Sequence, residues 1–191
     1  GDADKRERYW PPFEPVLARE ARTWPVRVAT LGCATCATVP GLRRYTIELS
    51  ASGEVRRLHL YWYSQWSDFP ASSSIGSRQY YDNAWNVLRV AVHLDRKLRA
   101  GEPAEQWPVC HCSAGVGRTG TLLALLTTLR ALPLLSDTPA LDFFIKRTIE
   151  SMRQRRLWMV KTDAEYALIY AAVLQSVTRR PEDDGAADPY E

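Results

Sequence analysis

The chain has little of several features that would place it in a specialised class of protein. Its 191 residues include only four cysteines, too few for a small secreted fold held together by disulfides. No apolar run approaches the ~20 residues of a membrane-spanning helix, and no signal peptide opens the sequence. Hydrophobic residues make up 46% of the chain and charged residues 25%, as in ordinary globular proteins. We therefore expect no membrane span and a reducing, intracellular location such as the cytoplasm.

The net charge of the chain is only +3, and its acidic residues are unevenly placed. Five acids follow Arg180 with no further Lys or Arg among them. We predict one domain over residues 1–180 and a disordered acidic tail over residues 181–191. The more basic remainder suits a phosphorylated or acidic substrate. Nucleic acid is not an expected partner, because the basic residues are scattered and no matching motif is present.

Cys33 and Cys36 have the spacing of half a zinc site or of a redox pair. No second Cys or His pair completes a zinc site, and no helical pattern follows directly. We predict two ordinary thiols here and no metal.

Residues 111–120, with the sequence HCSAGVGRTG, are the most informative part of the chain. Residues 107–110 before them are short and apolar enough for a buried strand, and residues 121–130 after them are strong helix formers. A loop between a strand and a helix directs backbone N–H groups and the positive end of the helix dipole at one point. We call residues 111–120 the anion loop, because this arrangement suits an anion.

Cys112 and Arg118 give the anion loop its predicted chemistry. A thiol among amide donors, a helix dipole and a guanidinium should have a lowered pKa and be a thiolate near neutral pH. Arg118 adds a planar fork that matches two oxygens of a phosphate. A Cys-x5-Arg pair alone is weak evidence for a reactive site, because a cysteine after a buried strand is commonly just a packed core residue. The glycines, small residues and hydroxyl around the pair make the chemical interpretation the stronger one.

The whole loop closely resembles the signature of the classical protein tyrosine phosphatases, His-Cys-Ser-Ala-Gly-x-Gly-Arg-Thr-Gly. The resemblance extends over residues 9–178 and begins with Tyr9-Trp10-Pro11, which matches the middle of the family pattern. It implies an α/β (α+β) fold with a twisted mixed β-sheet flanked by helices. It also implies hydrolysis of phosphotyrosine in proteins, without metal or cofactor. The chain is predicted to lack the N-terminal part of the pattern.

The resemblance assigns a role to each residue of the loop. Cys112 is the nucleophile that forms a phosphocysteine, and Arg118 binds the phosphoryl group. His111 orders the loop, or is simply a packed histidine, and Thr119 donates a hydrogen bond to the departing thiolate. The remaining residues bind phosphate through their backbone: Ser113, Ala114, Gly115, Val116 and Gly117.

Asp68, in Trp66-Ser67-Asp68-Phe69-Pro70, is the predicted general acid and base. This stretch resembles the mobile Trp-Pro-Asp loop of the family, with Trp66 as the hinge. Ser67 replaces the family's proline, so the loop samples more conformations and closes less favourably.

A second departure affects hydrolysis of the phosphocysteine. Residues 152–156 match the family's Arg-x-Gln-Arg, but the two glutamines that position water in the family are replaced by Lys161 and Glu165. Lys161 cannot accept a hydrogen bond from an attacking water. Thr162 and Glu165 form a predicted capping box, which already explains Glu165 structurally. We predict slow hydrolysis.

The remaining strands and helices are predicted from the spacing of apolar residues and from the turn-forming residues between them. Strands are predicted over residues 26–33, 42–50 and 54–63, with a turn at 51–53. Helices are predicted over residues 78–98, 139–153 and 163–177. The first of these helices should bury Tyr81, Ala84, Trp85, Leu88, Val92 and Leu98.

Three other functions remain open. The compact size fits a dual-specificity phosphatase, although the signature and the ending favour the classical branch. The altered acid loop and lost glutamines fit a phosphotyrosine-binding pseudophosphatase, against which the intact Cys112, Arg118 and Asp68 argue. A redox role is the third, since a low-pKa thiolate oxidises readily to a sulfenic acid.

Overall fold

The computed structural model describes residues 21–22, 26–66, 75–100 and 108–178. They belong to two compact units that divide between Gln65 and Trp66. The described strands lie in the first unit and the described helices in the second. This confirms the predicted α+β class.

The first unit is an antiparallel sheet in the order β1-β2-β3-β4. Its strands are β1 (Ala21–Arg22), β2 (Arg27–Thr35), β3 (Leu42–Ala51) and β4 (Glu54–Tyr63), and the three predicted strands are confirmed. Ser52 and Gly53 join β3 to β4 with φ angles of 49° and 84°. Two positive φ angles in a two-residue loop match the right-handed twist of a hairpin.

The second unit contains α1 (Arg78–Arg99), α2 (Gly117–Ala131), a 3-10 turn (Leu132–Leu134), α3 (Thr138–Arg155) and α4 (Asp163–Thr178). Helix α2 contacts each of the other three helices. It buries Thr121, Ala124, Leu125 and Thr128 almost completely. A helix that is apolar on most sides belongs in the centre of a bundle, so the anion loop leads into the core helix of this unit.

The predicted buried face of α1 is wrong at both ends. Tyr81 is 46% exposed and Leu98 is 36% exposed, whereas Tyr80 is only 2% exposed. Tyr80 begins a stripe that continues through Ala84, Leu88 and Ala91 with helical spacing. Its hydroxyl also donates to the Ala164 carbonyl oxygen over 2.9 Å, a partner that periodicity alone does not reveal.

The structure corrects two predictions around the anion loop. Helix α2 begins at Gly117, inside the loop rather than after it, so Arg118 lies in the first helical turn. Residues 108–110 are not a strand, and Val109 is 89% exposed. Extended backbone becomes a strand only when it bonds to a neighbouring strand, and local sequence cannot show whether such a neighbour is present.

Within the described ranges, no helix is both long and apolar enough to cross a membrane.

Candidate active site

The anion loop turns sharply before it enters α2. Residues 113–116 form a bend, and Gly115 has a φ of 69°, a conformation that glycine adopts without strain. The loop therefore gathers consecutive backbone amides at the N-terminus of a 15-residue helix. Such an arrangement favours negative charge in front of it.

Cys112 is half-buried in front of these amides. Burial raises its pKa, but the Thr119 hydroxyl and the amides of Thr119, Gly115 and Val116 outweigh burial, so the pKa lies below the usual value. The Thr119 hydroxyl is buried, and no described residue meets full hydrogen-bond geometry with it. We therefore attribute the lowered pKa to the combined field of the surrounding donors rather than to one strong bond.

Cys110 lies two residues earlier and behaves in the opposite way. Burial, together with the charge of Cys112, raises the pKa of Cys110 to about 11. Cys110 thus stays a thiol at the pH where Cys112 ionises. The two cysteines are chemically distinct, although both are free thiols.

Arg118 is held at one end by the backbone of Trp66. Its Nη1 donates to the Trp66 carbonyl oxygen over 2.8 Å, and Trp66 packs at the edge of the helical core. The carbonyl fixes one side of the guanidinium. The predicted Trp66 hinge is thus in direct contact with the anion loop.

The predicted capping box at the start of α4 is confirmed. The Glu165 amide donates to Thr162 Oγ1 over 3.2 Å, and Glu165 Oε2 accepts from the amides of Thr162 and Lys161 over 3.1 and 2.7 Å. A Cβ atom at Gly117 would overlap Glu165 Oε1. The carboxylate therefore packs against the first turn of α2, while Lys161 is exposed.

The turn between α3 and α4, residues 156–162, supports the loop in a way that we did not predict. Arg156 Nη2 donates to the Ala114 carbonyl oxygen over 3.0 Å, and the Val160 amide donates to the Val116 carbonyl oxygen over 3.2 Å. The match to the family's Arg-x-Gln-Arg pattern includes Arg156, but it does not predict which residue Arg156 contacts. A contact over 42 residues of sequence has no local signal.

The other predicted site residues are placed as follows. The His111 ring lies 3.1 Å from the Cys112 carbonyl oxygen through Nδ1, and Ser113 is in the exposed part of the bend. Asp68 and Ser67 lie outside the described residues, as do the predicted acidic tail and Trp107. The roles assigned to all these residues stay predictions.

The loop and the first turn of the helix that follows it form a site that suits an anion such as a phosphate group. A family model described as protein-tyrosine phosphatase matches residues 1–175. The chain belongs to the protein-tyrosine phosphatase family.

Individual relatives agree with this assignment. The chain is 30% identical to human receptor-type tyrosine-protein phosphatase H over 98% of its own length and 15% of that protein. It is 26% identical to mouse tyrosine-protein phosphatase non-receptor type 4 over 90% of its length and 16% of that protein. Both receptor-type and non-receptor names therefore occur among the relatives.

Solved structures show the same fold. The catalytic domain of human protein tyrosine phosphatase non-receptor type 18 matches 89% of this chain with a TM-score of 0.62 and 24% identity. A protein tyrosine phosphatase of Trypanosoma brucei matches 91% with a TM-score of 0.65 and 24% identity. This chain covers 54% and 56% of those two chains, so it spans about half the length of each.

Proposed function

We propose that this chain is a protein tyrosine phosphatase that hydrolyses phosphotyrosine in proteins through a phosphocysteine on Cys112. The observation that carries the proposal is the lowered pKa of Cys112 in a loop of converging amides, with Arg118 in the adjoining first turn of α2. One structural neighbour, protein tyrosine phosphatase non-receptor type 18, has been studied for its fingerprint on distinct HER2 tyrosine phosphorylation sites. By analogy, the substrates proposed here are phosphotyrosine-containing proteins.

In the first step the Cys112 thiolate attacks phosphorus. An S–P bond forms, the P–O bond to the tyrosyl ring breaks, and Asp68 protonates the leaving oxygen. Arg118 and the loop amides stabilise the charge on the non-bridging oxygens. In the second step Asp68 removes a proton from water as the water attacks phosphorus. The S–P bond then breaks, releasing phosphate and the thiolate.

The second step is expected to limit turnover. Lys161 offers donors but no acceptor to an attacking water, and Glu165 already accepts two backbone amides. We expect a burst of phenol from an aryl phosphate, close to one equivalent per enzyme, followed by slow release of phosphate. A linear time course from the first turnover would contradict this, and Lys161→Gln should shorten the slow phase.

The direct test compares the chain with its Cys112→Ser variant on an aryl phosphate and on phosphotyrosine and phosphothreonine peptides. We expect turnover of the aryl phosphate and the phosphotyrosine peptide by the unmodified chain, and none by the variant. Turnover of the phosphothreonine peptide would indicate dual specificity instead. Tight binding of the phosphotyrosine peptide without any turnover would indicate a pseudophosphatase.

A further inference from the structure

The β2–β3 turn, residues 36–41, holds the segment that leads to Trp66. The Gly41 carbonyl oxygen accepts from both the amide and the hydroxyl of Ser64, over 3.1 and 3.2 Å. The Gln65 side chain lies against the Gly41 backbone, since a Cβ atom at Gly41 would be 2.5 Å from Gln65 Cγ and 2.7 Å from its Cδ. Ser64 and Gln65 are thus both in contact with one glycine of the turn.

The β2–β3 turn is itself anchored in the first unit. Cys36, Val39 and Leu42 are buried, with at most 3% of their surface exposed. The Cys36 amide donates to the Leu42 carbonyl oxygen over 2.9 Å, and the Leu42 amide donates to the Val39 carbonyl oxygen over 3.1 Å. Buried side chains are closely packed and move little, so the Gly41 carbonyl oxygen has a well-defined position.

Ser64 lies close along the chain to the residue that contacts Arg118. Trp66 follows two residues later, and its carbonyl oxygen accepts from Arg118 Nη1 over 2.8 Å. Three residues span at most ~11 Å, so the chain has little slack between the Ser64 amide and the Trp66 carbonyl group. A displacement of Ser64 should therefore displace a hydrogen-bond acceptor of Arg118.

The orientation of Arg118 matters for anion binding. A guanidinium presents its donors in a rigid planar fork, and the match of this fork to two phosphate oxygens depends on its direction. An arginine that becomes ordered only on binding loses part of the favourable free energy to lost rotamer freedom. The Trp66 carbonyl oxygen reduces this cost, because it holds the guanidinium from one side before the anion arrives.

We propose that the β2–β3 turn, acting through Ser64 and Gln65, positions the Trp66 carbonyl oxygen and thereby orients Arg118 for anion binding. Gly41 and Ser64 are positioning residues, which affect the anion only through Trp66 and Arg118. This inference rests on the proposed function, in which Arg118 binds the phosphoryl group.

The test measures the affinity for inorganic phosphate, as protection of Cys112 from iodoacetamide at constant pH and ionic strength. Gly41→Ala should raise the Kd of phosphate about fivefold, equivalent to about 1 kcal/mol, because its methyl group displaces Gln65. Gly53→Ala is the matched control. The φ angles of Gly41 and Gly53 are 80° and 84°, so alanine is strained at both, but a Cβ atom at Gly53 meets nothing within 4 Å. Gly53→Ala should leave the Kd within about twofold, as expected for a position that shares no contact with the site.

Ser64 provides a second pair of variants at an exposed position, where the fold is easily retained. Ser64→Ala removes one of the two donors to Gly41 and should raise the Kd of phosphate about threefold. Ser64→Thr keeps the hydroxyl and should bind phosphate as the unmodified chain does. Equal Kd values for Ser64→Ala and Ser64→Thr would overturn the proposal.

Two further measurements distinguish positioning of Arg118 from general damage to the fold. The pH midpoint of Cys112 alkylation should be unchanged in Gly41→Ala, because burial, the Thr119 hydroxyl and the loop amides set the pKa of Cys112. In an Arg118→Met background, Gly41→Ala should have no further effect on the Kd, because both changes then remove the same interaction. A shifted midpoint, or a fivefold loss that persists without Arg118, would overturn the proposal. Equal losses in Gly41→Ala and Gly53→Ala would overturn it as well.

Failure of the proposed function gives a different result from failure of this inference. Turnover of an aryl phosphate by the unmodified chain tests hydrolysis, whereas protection of Cys112 by phosphate requires no turnover. The expected changes in Kd without any turnover would refute the hydrolysis and support the positioning of Arg118. If phosphate does not protect Cys112 in the unmodified chain, the positioning is refuted whether or not the aryl phosphate is hydrolysed.

Discussion

Replacing Gly120 by alanine would press a side chain into the contact between α2 and the turn between α3 and α4. A Cβ atom at this position would lie 2.5 Å from the Val160 nitrogen, 3.1 Å from the Met159 carbonyl carbon and 3.3 Å from its Cα. All three are backbone atoms, which cannot rotate away. The turn must therefore move, and the bond from the Val160 amide to Val116 is the first contact to be lost.

The magnitude combines three effects. Overpacking a close contact costs about 1–3 kcal/mol, and losing the backbone hydrogen bond costs about 1 kcal/mol. Alanine offsets about 1 kcal/mol through its better helix propensity. The net expectation is a loss of about 2 kcal/mol in the free energy of unfolding, or roughly 4–8 °C in Tm for a chain of this size.

The assay is urea unfolding followed by circular dichroism at a helix-sensitive wavelength. Gly32→Ala is the matched control, because a Cβ there meets nothing within 4 Å and its φ is not positive; it should be neutral or stabilising by up to about 1 kcal/mol. Equal stabilities of the two variants would refute the close packing of α2 against the turn. The Gly120 variant should also show weaker competition by inorganic phosphate, because the turn supports the anion loop.

Further predictions concern the cysteines and the core. Alkylation by iodoacetamide, followed by mass spectrometry across pH, should label Cys112 with a midpoint below the usual ~8.5 of a free thiol, because its pKa is lowered. Cys110 has a pKa of about 11 and should react only at much higher pH. Cys112→Ser should lower the pKa of Cys110, because it removes a neighbouring charge. An unchanged pH dependence of Cys110 alkylation would contradict this effect of Cys112 on Cys110. Tyr80→Phe should cost about 1 kcal/mol in thermal or urea unfolding, because it removes the buried hydrogen bond from the Tyr80 hydroxyl to the Ala164 carbonyl oxygen. The adjacent Tyr81→Phe is the exposed control and should be near neutral, so comparable losses would count against the buried hydrogen bond.

Local sequence was informative wherever the responsible interactions are themselves local. The β3–β4 hairpin was predicted from alternation and from Ser52-Gly53, and its turn needs no distant partner. The capping box of Thr162 and Glu165 was predicted from residues three apart, and the hydrogen bonds are those expected. The anion loop was recognised from ten consecutive residues for the same reason.

Predictions failed where a distant part of the chain decides the outcome. Tyr80 and Tyr81 both fit a helical stripe, and only the packing of α1 on α4 buries Tyr80. Residues 108–110 are apolar, but hydrogen bonds to a neighbouring strand, rather than composition, make a strand.

The sequence by itself determined which reactive groups the anion loop contains: a thiol and a guanidinium six residues apart, where the loop leads into a helix. Tertiary structure decided how that chemistry is supported. It brought the Trp66 carbonyl oxygen to Arg118 across 52 residues and Arg156 to Ala114 across 42. It also fixed Trp158 with a positive φ and an exposed side chain in the turn between α3 and α4. Contacts between residues so far apart depend on how the helices pack against one another, and no local pattern in the chain records that packing.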